Sequence, residues 1–202
     1  VVGKNGTAIL IPYIKTIAAM YLCAVVYLLV VQAVLMVGVF GRVSPLKFLK
    51  NMKEAMTFVF ATCSSVATIP LNLACVKKVE VDEETANFVI PFGAVMNMNG
   101  TAIYEAVAVV FTAQIFGVEL TFTQQVMIML TATLASIGTA GIPGSGLVML
   151  TIVLSSVNLP MEAIGLLAGI DRILNMARCV PNIVGDAATA VIVAQSEGTL
   201  KR

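Results

Sequence analysis

Residues 8–40 are apolar almost throughout, interrupted chiefly by Lys15 and Gln32. The stretch exceeds the roughly 20 residues that a helix needs to cross the hydrocarbon of a bilayer. A bilayer offers no hydrogen-bond partners, so whatever follows at membrane depth must be helical or be buried in protein. The rest of the chain suits the same solvent, with 59% hydrophobic and only 11% charged residues, where soluble domains carry about a quarter charged. A soluble, unusually apolar core domain is the competing reading, and the length of the apolar stretches argues against it.

Charge placement orients the segments. Gly41, Arg42, Ser44 and Pro45 end the first span, and Arg42, Lys47, Lys50 and Lys53 form a basic loop of the kind found on the cytoplasmic side. The next apolar run, 55–76, is followed at once by Lys77 and Lys78. A single crossing would put basic clusters on both sides. The charge rule instead predicts a re-entrant hairpin over 41–78 that enters from the cytoplasm, turns at Thr62-Cys63-Ser64-Ser65 and returns past Pro70. After a charged connector, 84–116 reads as a span broken near mid-depth by Pro91, Gly93 and Asn97-Met98-Asn99-Gly100-Thr101. Such a break predicts an unwound helix with free carbonyls, and broken spans commonly hold ions in transporters. Glu105, one turn beyond Thr101, is an ionisable group in the hydrophobic zone and so a functional candidate.

The link 117–123 carries no Lys or Arg, as expected outside. Within 121–158, residues 124–157 are too many for one span and too few for two spans of about 20. Their middle, Ser136-Ile137-Gly138-Thr139-Ala140-Gly141-Ile142-Pro143-Gly144-Ser145-Gly146, holds four glycines and a proline. A second re-entrant hairpin, from the external side, accounts for both the length and the break. The final span is expected over 162–196, with one helix from about 163 to 194 and the terminal Lys201 and Arg202 in the cytoplasm. The predicted fold is an all-α membrane protein with three transmembrane spans plus two re-entrant helical hairpins entering from opposite sides.

The last span carries a polar stripe. Asp171, Asn175, Arg178, Asn182 and Asp186 are spaced by 4, 3, 4 and 4, which at about 100° per residue places all five within an arc of about 80°. Arg178 at membrane depth is costly unless paired, and its planar fork suits a carboxylate. A ligand carboxylate is one partner; an internal pair with Asp171 or Glu105 is the other. Asp186 and Asn182, facing the Asn97 region, offer hard oxygens for a cation or a structural hydrogen-bond network. The glycine-rich turn is either a lid or a structural kink. Pro181 removes one helical hydrogen bond within the stripe.

Several classes fall away. Net charge +1 gives no basic field for nucleic acid. The chain has no His, which removes His-based triads and the common His-containing zinc sites. Cys23, Cys63, Cys75 and Cys179 show no paired spacing and read as reduced packing residues. Asp171 and Asp186 lie about 22 Å apart along one helix, too far for joint acid/base work, so an intramembrane enzyme is set aside. The start carries neither an initiator Met nor the order of a signal peptide, so the chain is expected to be the back part of something longer.

Asn97-Met98-Asn99-Gly100-Thr101, the run Ala135 to Gly146, the Ser64-Ser65 tip, and Asn175-Met176-Ala177-Arg178 with Asn182 and Asp186 together resemble the glutamate transporter family, the dicarboxylate/amino acid:cation symporters. The resemblance covers nearly the whole chain as a partial transport domain over 1–202, the family's C-terminal half. The N-terminal scaffold spans that form the family's trimer contacts are absent from it, and a homotrimer is implied for the full-length protein.

That resemblance implies that Arg178 holds the substrate's side-chain carboxylate. Ser64, Ser65, Thr101 and Asn182 would receive the α-carboxylate, and Gly141, Ile142 and Gly146 would belong to the closing lid. Asn175 stands where the family's amino-acid transporters place an Asp for the substrate ammonium. One Na+ site would comprise Gly93, Asn97, Asn182 and Asp186, and a second the carbonyls of Ser136, Ile137 and Thr139. Glu105 matches a position linked to proton coupling. Asn99 replaces the Asp of the usual Asn-Met-Asp-Gly-Thr motif, and Asn175 replaces a second Asp; the former weakens a third sodium site, the latter ammonium binding. The implied function is a symporter in the plasma or inner membrane. It would couple sodium, with protons as a further coupling ion, to uptake of aspartate, glutamate or a C4-dicarboxylate. The rival is a channel-like, anion-conducting protein whose pore is lined by the stripe.

Overall fold

A computed structural model describes residues 9–200; residue 8 of the first expected span and the basic pair Lys201 and Arg202 lie outside them. Among the described residues every regular element is helical: α1 Leu10–Phe40, α2 Pro45–Thr62, α3 Ser65–Lys77, α4 Glu83–Met96, α5 Asn99–Ile115, α6 Phe122–Ile137, α7 Ser145–Ser156, α8 Ala163–Ala168 and α9 Asp171–Glu197. From Tyr27 to Phe40 the ladder of α1 widens to a π-helical one. Among the described residues three stretches are long and apolar enough to cross a membrane: Leu10–Phe40, Glu83–Ile115 (α4 and α5 together) and Asp171–Glu197.

Local chemistry sets the helix ends. Pro45 opens α2, where its missing N–H costs nothing. Ser64 caps α3 by accepting the Ala67 N–H at 3.1 Å, and Asp82 caps α4 by accepting the Thr85 N–H at 2.9 Å, with Glu83 and Glu84 favouring the positive helix end. Thr121 and Gln124 form a reciprocal capping box on α6. The expected helix over 163–194 is divided: α8 closes at Gly169, Ile170 turns out of the helical region at φ −120°, and α9 begins at Asp171.

The helices α2 and α3 run antiparallel, as do α6 and α7. Lys47 and Glu54 on α2 pair with Glu80 and Lys78 just beyond α3, at 3.1 and 2.9 Å. These ion pairs are exposed, so they mark the geometry more than they stabilise it. On the other pair, Thr131 and Ser156 hydroxyls meet at 3.2 Å. The bases of the two pairs lie at opposite ends of the bundle. One end gathers the start of α1, the end of α5 and α8: Tyr13 stacks on Phe111 at 5.8 Å and donates to the Leu166 carbonyl at 2.7 Å. The other gathers the α2–α3 base, the start of α4 and the end of α9, where Thr199 donates to Asp82.

Each end has its own apolar cluster, one including Tyr104, Leu150, Leu154 and Leu174, the other Phe48, Met52, Ile183 and Val191. The polar stripe lies between them. Burial shows which helix is central: 72% of the most apolar window of α9 is covered, against 28% for α1, whose Leu22, Val25, Leu29 and Val30 are exposed. Helix α9 packs against α1 to α5. Its stripe therefore faces protein, a setting in which such residues are tolerated at membrane depth.

Candidate functional site

The tips of the two helix pairs meet beside the middle of α9. At the first tip Cys63 takes a left-handed conformation, φ 56°, that turns the chain sharply between α2 and α3. At the second, Gly144 does the same at φ 82° before α7. Ser64 Oγ donates to the Gly141 carbonyl at 3.0 Å and the Val66 N–H to the same oxygen at 3.3 Å. Arg172, the second residue of α9, donates to the Ala61 carbonyl at the end of α2, where a cation complements the negative helix end.

Arg178 lies beneath the joined tips and is 2% exposed. Its Nε donates to Asn175 Oδ1 at 2.7 Å, and its guanidinium carbon sits 5.0 Å from the Tyr104 ring centroid. Tyr104 in turn donates to Asp171 Oδ1 at 3.2 Å. The stripe thus supplies a neutral partner for the arginine, and Asp171 is held by a phenol. Among the described residues no carboxylate lies within 4.0 Å of the guanidinium, and Nη1 has no hydrogen-bond partner. The internal pair with Asp171 or Glu105 is not formed.

A cavity of about 10 Å³ lies at this point, lined by Ser65, Thr101, Gly141, Ile142, Ser145, Arg178 and Asn182 together with Cys63, Met98, Ala140 and Cys179. It is about the size that holds one water. Ser65 and Ser145 open α3 and α7, and Thr101 lies in the first turn of α5. Three helix N-termini therefore converge where the arginine points, and each favours negative charge. The main chains are close: a β-carbon on Gly100 would fall 1.9 Å from the Arg178 carbonyl oxygen, and one on Gly146 would fall 1.5 Å from Nη1. Gly100 donates its N–H to Asn182 Oδ1 at 2.7 Å, and Asn182 Nδ2 reaches Met98 Sδ at 3.2 Å and Thr101 Oγ1 at 3.4 Å.

One turn along α9 a second group assembles. The chain leaves the helix at Asn97 and Met98, between α4 and α5. Asn97 Nδ2 donates to Asp186 Oδ1 at 2.8 Å and to the Asn182 carbonyl at 3.3 Å; Asn99 donates to Asn97 Oδ1 at 2.5 Å. Gly93 lies against the same carboxylate. Asp186 Oδ2 is buried without a partner, an orphaned oxygen in a set of hard oxygens that fits a small cation. A groove of about 270 Å³ lined by Gly93, Asn97 and Asp186 reaches the set from outside. Gln32, which interrupts the first apolar stretch, enters here, donating to the Pro181 carbonyl at 2.6 Å.

Ser136, Ile137 and Thr139 lie together at the end of α6, where the Ser136 carbonyl accepts the Thr139 N–H at 3.1 Å. Glu105 is fully buried on α5 and neither carboxyl oxygen has a partner. Of the residues singled out in the sequence, Ser65, Thr101, Gly141, Ile142, Arg178 and Asn182 meet at the cavity, with Gly146 against the guanidinium, Asn175 bound to the arginine and Ser64 spent on the bridge between tips. Tyr104, Met98, Cys63 and Cys179 were not legible as site residues. An aromatic, a methionine and two distant cysteines in apolar sequence look like packing.

The family profile described as the sodium:dicarboxylate symporter family matches residues 1–196. The chain belongs to this family. It is therefore a multi-pass membrane protein, in keeping with the three described stretches long and apolar enough to span. Similar members include excitatory amino acid transporter 5 of Mus musculus, 45% identical over 152 residues that cover 75% of this chain and 27% of the relative. Excitatory amino acid transporter 1 of Homo sapiens is 41% identical over 180 residues, 87% of this chain and 33% of the relative. The proton/sodium-glutamate symport protein of Bacillus subtilis (strain 168) is 33% identical over 197 residues, 98% of this chain and 46% of the relative. The chain spans less than half the length of these family members.

Proposed function

We propose that this chain forms the substrate- and ion-binding core of a sodium-coupled symporter for an acidic amino acid or a C4-dicarboxylate. The observation that carries the reading is Arg178: a buried guanidinium with a free Nη1, no carboxylate partner and three helix N-termini aimed at the same point. Leaving a charge so buried costs several kcal/mol unless an anion completes it. A substrate carboxylate does so bidentately. With room for about one water, the site admits a dicarboxylate only when the Gly141 to Gly146 turn withdraws, so that turn acts as the lid.

Sodium, as a transported ion, would be held by the Asp186 carboxylate with oxygens of Gly93, Asn97 and Asn182, reached through the outer groove. For this the Asn97 amide turns its oxygen, in place of its nitrogen, toward Asp186. Asn182 joins the two sites: its side chain reaches Gly100 and Thr101 beside the arginine, while its carbonyl belongs to the cation set. Ion and substrate then order the same residue, and each raises the other's affinity by the same factor. A second sodium at the carbonyls of Ser136, Ile137 and Thr139 would stabilise the lid from beneath, at the negative end of α6.

Buried Glu105, adjacent to Tyr104 and without partners, is the proton-coupling candidate, and the Bacillus relative is named as a proton/sodium symporter. The two helix pairs would serve as re-entrant gates from opposite faces, a reading supported by their bases at opposite ends of the bundle and their tips in contact. Assembly as a homotrimer is carried over from the family resemblance. Vesicles holding the protein should accumulate labelled aspartate or succinate against its gradient when sodium is higher outside. Passive current without sodium-driven accumulation would support the channel-like alternative.

A further inference from the structure

The first tip and α9 each bring a thiol to the Arg178 cavity. Cys63 is the left-handed residue at the turn between α2 and α3, and Cys179 follows Arg178 on α9. Both are buried, and both line the Arg178 cavity of about 10 Å³, Cys63 Sγ donating to the Phe60 carbonyl at 3.8 Å. Cys179 also donates to Asn175 Oδ1 at 3.2 Å, the oxygen that accepts from Arg178 Nε. The other two cysteines, exposed Cys23 and buried Cys75, lie elsewhere, on α1 and α3.

We infer that Cys63 and Cys179 form a reversible disulfide that clamps the first tip to α9 and closes the Arg178 site. The consequence for transport rests on the symporter reading; the chemistry of the pair does not. With a hydroperoxide as oxidant, the thiolate of Cys63 attacks the terminal peroxide oxygen, the O–O bond breaks, and a sulfenic acid and one water form. The Cys179 sulfur then attacks the sulfenic sulfur, the S–O bond breaks, and a second water leaves. Two thiols are oxidised and one hydrogen peroxide is reduced to two waters. A dithiol such as dithiothreitol reverses the bond by exchange.

The position of the bond determines its effect. Thiols that line one water-sized cavity are near enough for a side-chain rearrangement to bring them to disulfide geometry. The covalent link joins the turn that carries Ser64 and Ser65 to the residue next to Arg178, so the tip can no longer separate from the arginine. It also removes the S–H that donates to Asn175, leaving that oxygen to Arg178 alone. Since both sulfurs are buried, the oxidant reaches them only when the tips part. Occupancy of the site by substrate should therefore protect the pair.

The test uses the protein in lipid vesicles treated with hydrogen peroxide. Peptide mass spectrometry should find a Cys63–Cys179 linked peptide, and amide exchange over 62–66 should slow. Sodium-driven aspartate or succinate uptake should fall by about tenfold or more as the linked peptide accumulates, and dithiothreitol should reverse all three changes. Cys63→Ser and Cys179→Ser, each compared with its own untreated rate, should lose less than about twofold at the same dose. Absence of the linked peptide, or equal losses in both variants, would overturn the proposal. If untreated protein transports neither acid, the symporter reading fails, while the linked peptide and the exchange at 62–66 still decide the thiol pair.

Discussion

Gly146 lies so close to Arg178 that a β-carbon on it would fall 1.5 Å from Nη1. The glycine-rich turn and Arg178 are thus in direct contact, and the same nitrogen that lacks a hydrogen-bond partner is the one the turn covers. In the proposed symporter, substrate must separate them. This makes residue 146 a direct lever on affinity, although it carries no functional group.

For Gly146→Ala, the new methyl has to displace either the guanidinium or the turn. Affinity for acidic substrate should fall by about tenfold, which is 1.4 kcal/mol. Calorimetric titration with aspartate and with succinate checks this. Wild-type affinity for both would show that the lid does not rest on the arginine in solution.

Asn175→Asp places a carboxylate 2.7 Å from Arg178 Nε. The new charge competes with a substrate carboxylate for the arginine and offers a partner to a substrate ammonium. Succinate should lose affinity relative to aspartate by about tenfold. Competition of the two acids for one labelled ligand measures the ratio, and an unchanged ratio would remove Asn175 from the specificity determinants.

Asp186→Asn removes the single charge from the proposed sodium set, whose other members are neutral oxygens. Sodium should bind at least about tenfold more weakly, and substrate affinity at fixed sodium should fall with it, by reciprocity. Raising sodium should restore substrate binding. A sodium dependence identical to wild type would place the ion elsewhere.

Much of this was readable beforehand, for physical reasons. Apolar length marks spans, basic residues on both flanks of 55–76 mark a returning segment, and glycine with proline marks the turn near 143. Asn97 and Met98 leave the helix where polar and glycine residues predicted a break. The stripe of α9 was legible because a 3.6-residue period fixes which residues share a face. Partners across the fold were not. Nothing local couples Cys63 to Cys179, 116 residues later, or Tyr104 to Arg178, and Gln32 looked like a lone interruption until its contact with Pro181 joined α1 to the site. The end of the chain was equally silent: Thr199 closes onto Asp82 only in three dimensions.

That last contact predicts a pH dependence. The Thr199 hydroxyl, followed by the Thr85 amide, holds the Asp82 carboxyl down from 3.8 to about 2. A carboxyl lowered in the folded state contributes stability fully present above its unfolded value and lost as pH falls through the folded one. The latch should therefore persist at neutral pH and weaken between 3.8 and about 2. Amide exchange at Thr85 and Thr199 reports it, and Asp82→Asn should abolish the dependence across that window. Exchange that is insensitive to pH beyond its intrinsic chemistry in the unsubstituted protein would contradict the assignment.

The central claim is that Arg178 anchors an acidic substrate while Asp186 and its neighbours hold sodium separately. Equilibrium binding of sodium and of aspartate and succinate to Arg178→Ala tests it most directly. The account predicts that binding of both acids is lost, by about a hundredfold or more, while sodium still binds in the absence of substrate. Unchanged affinity for either acid, with the protein folded and sodium bound, would contradict it.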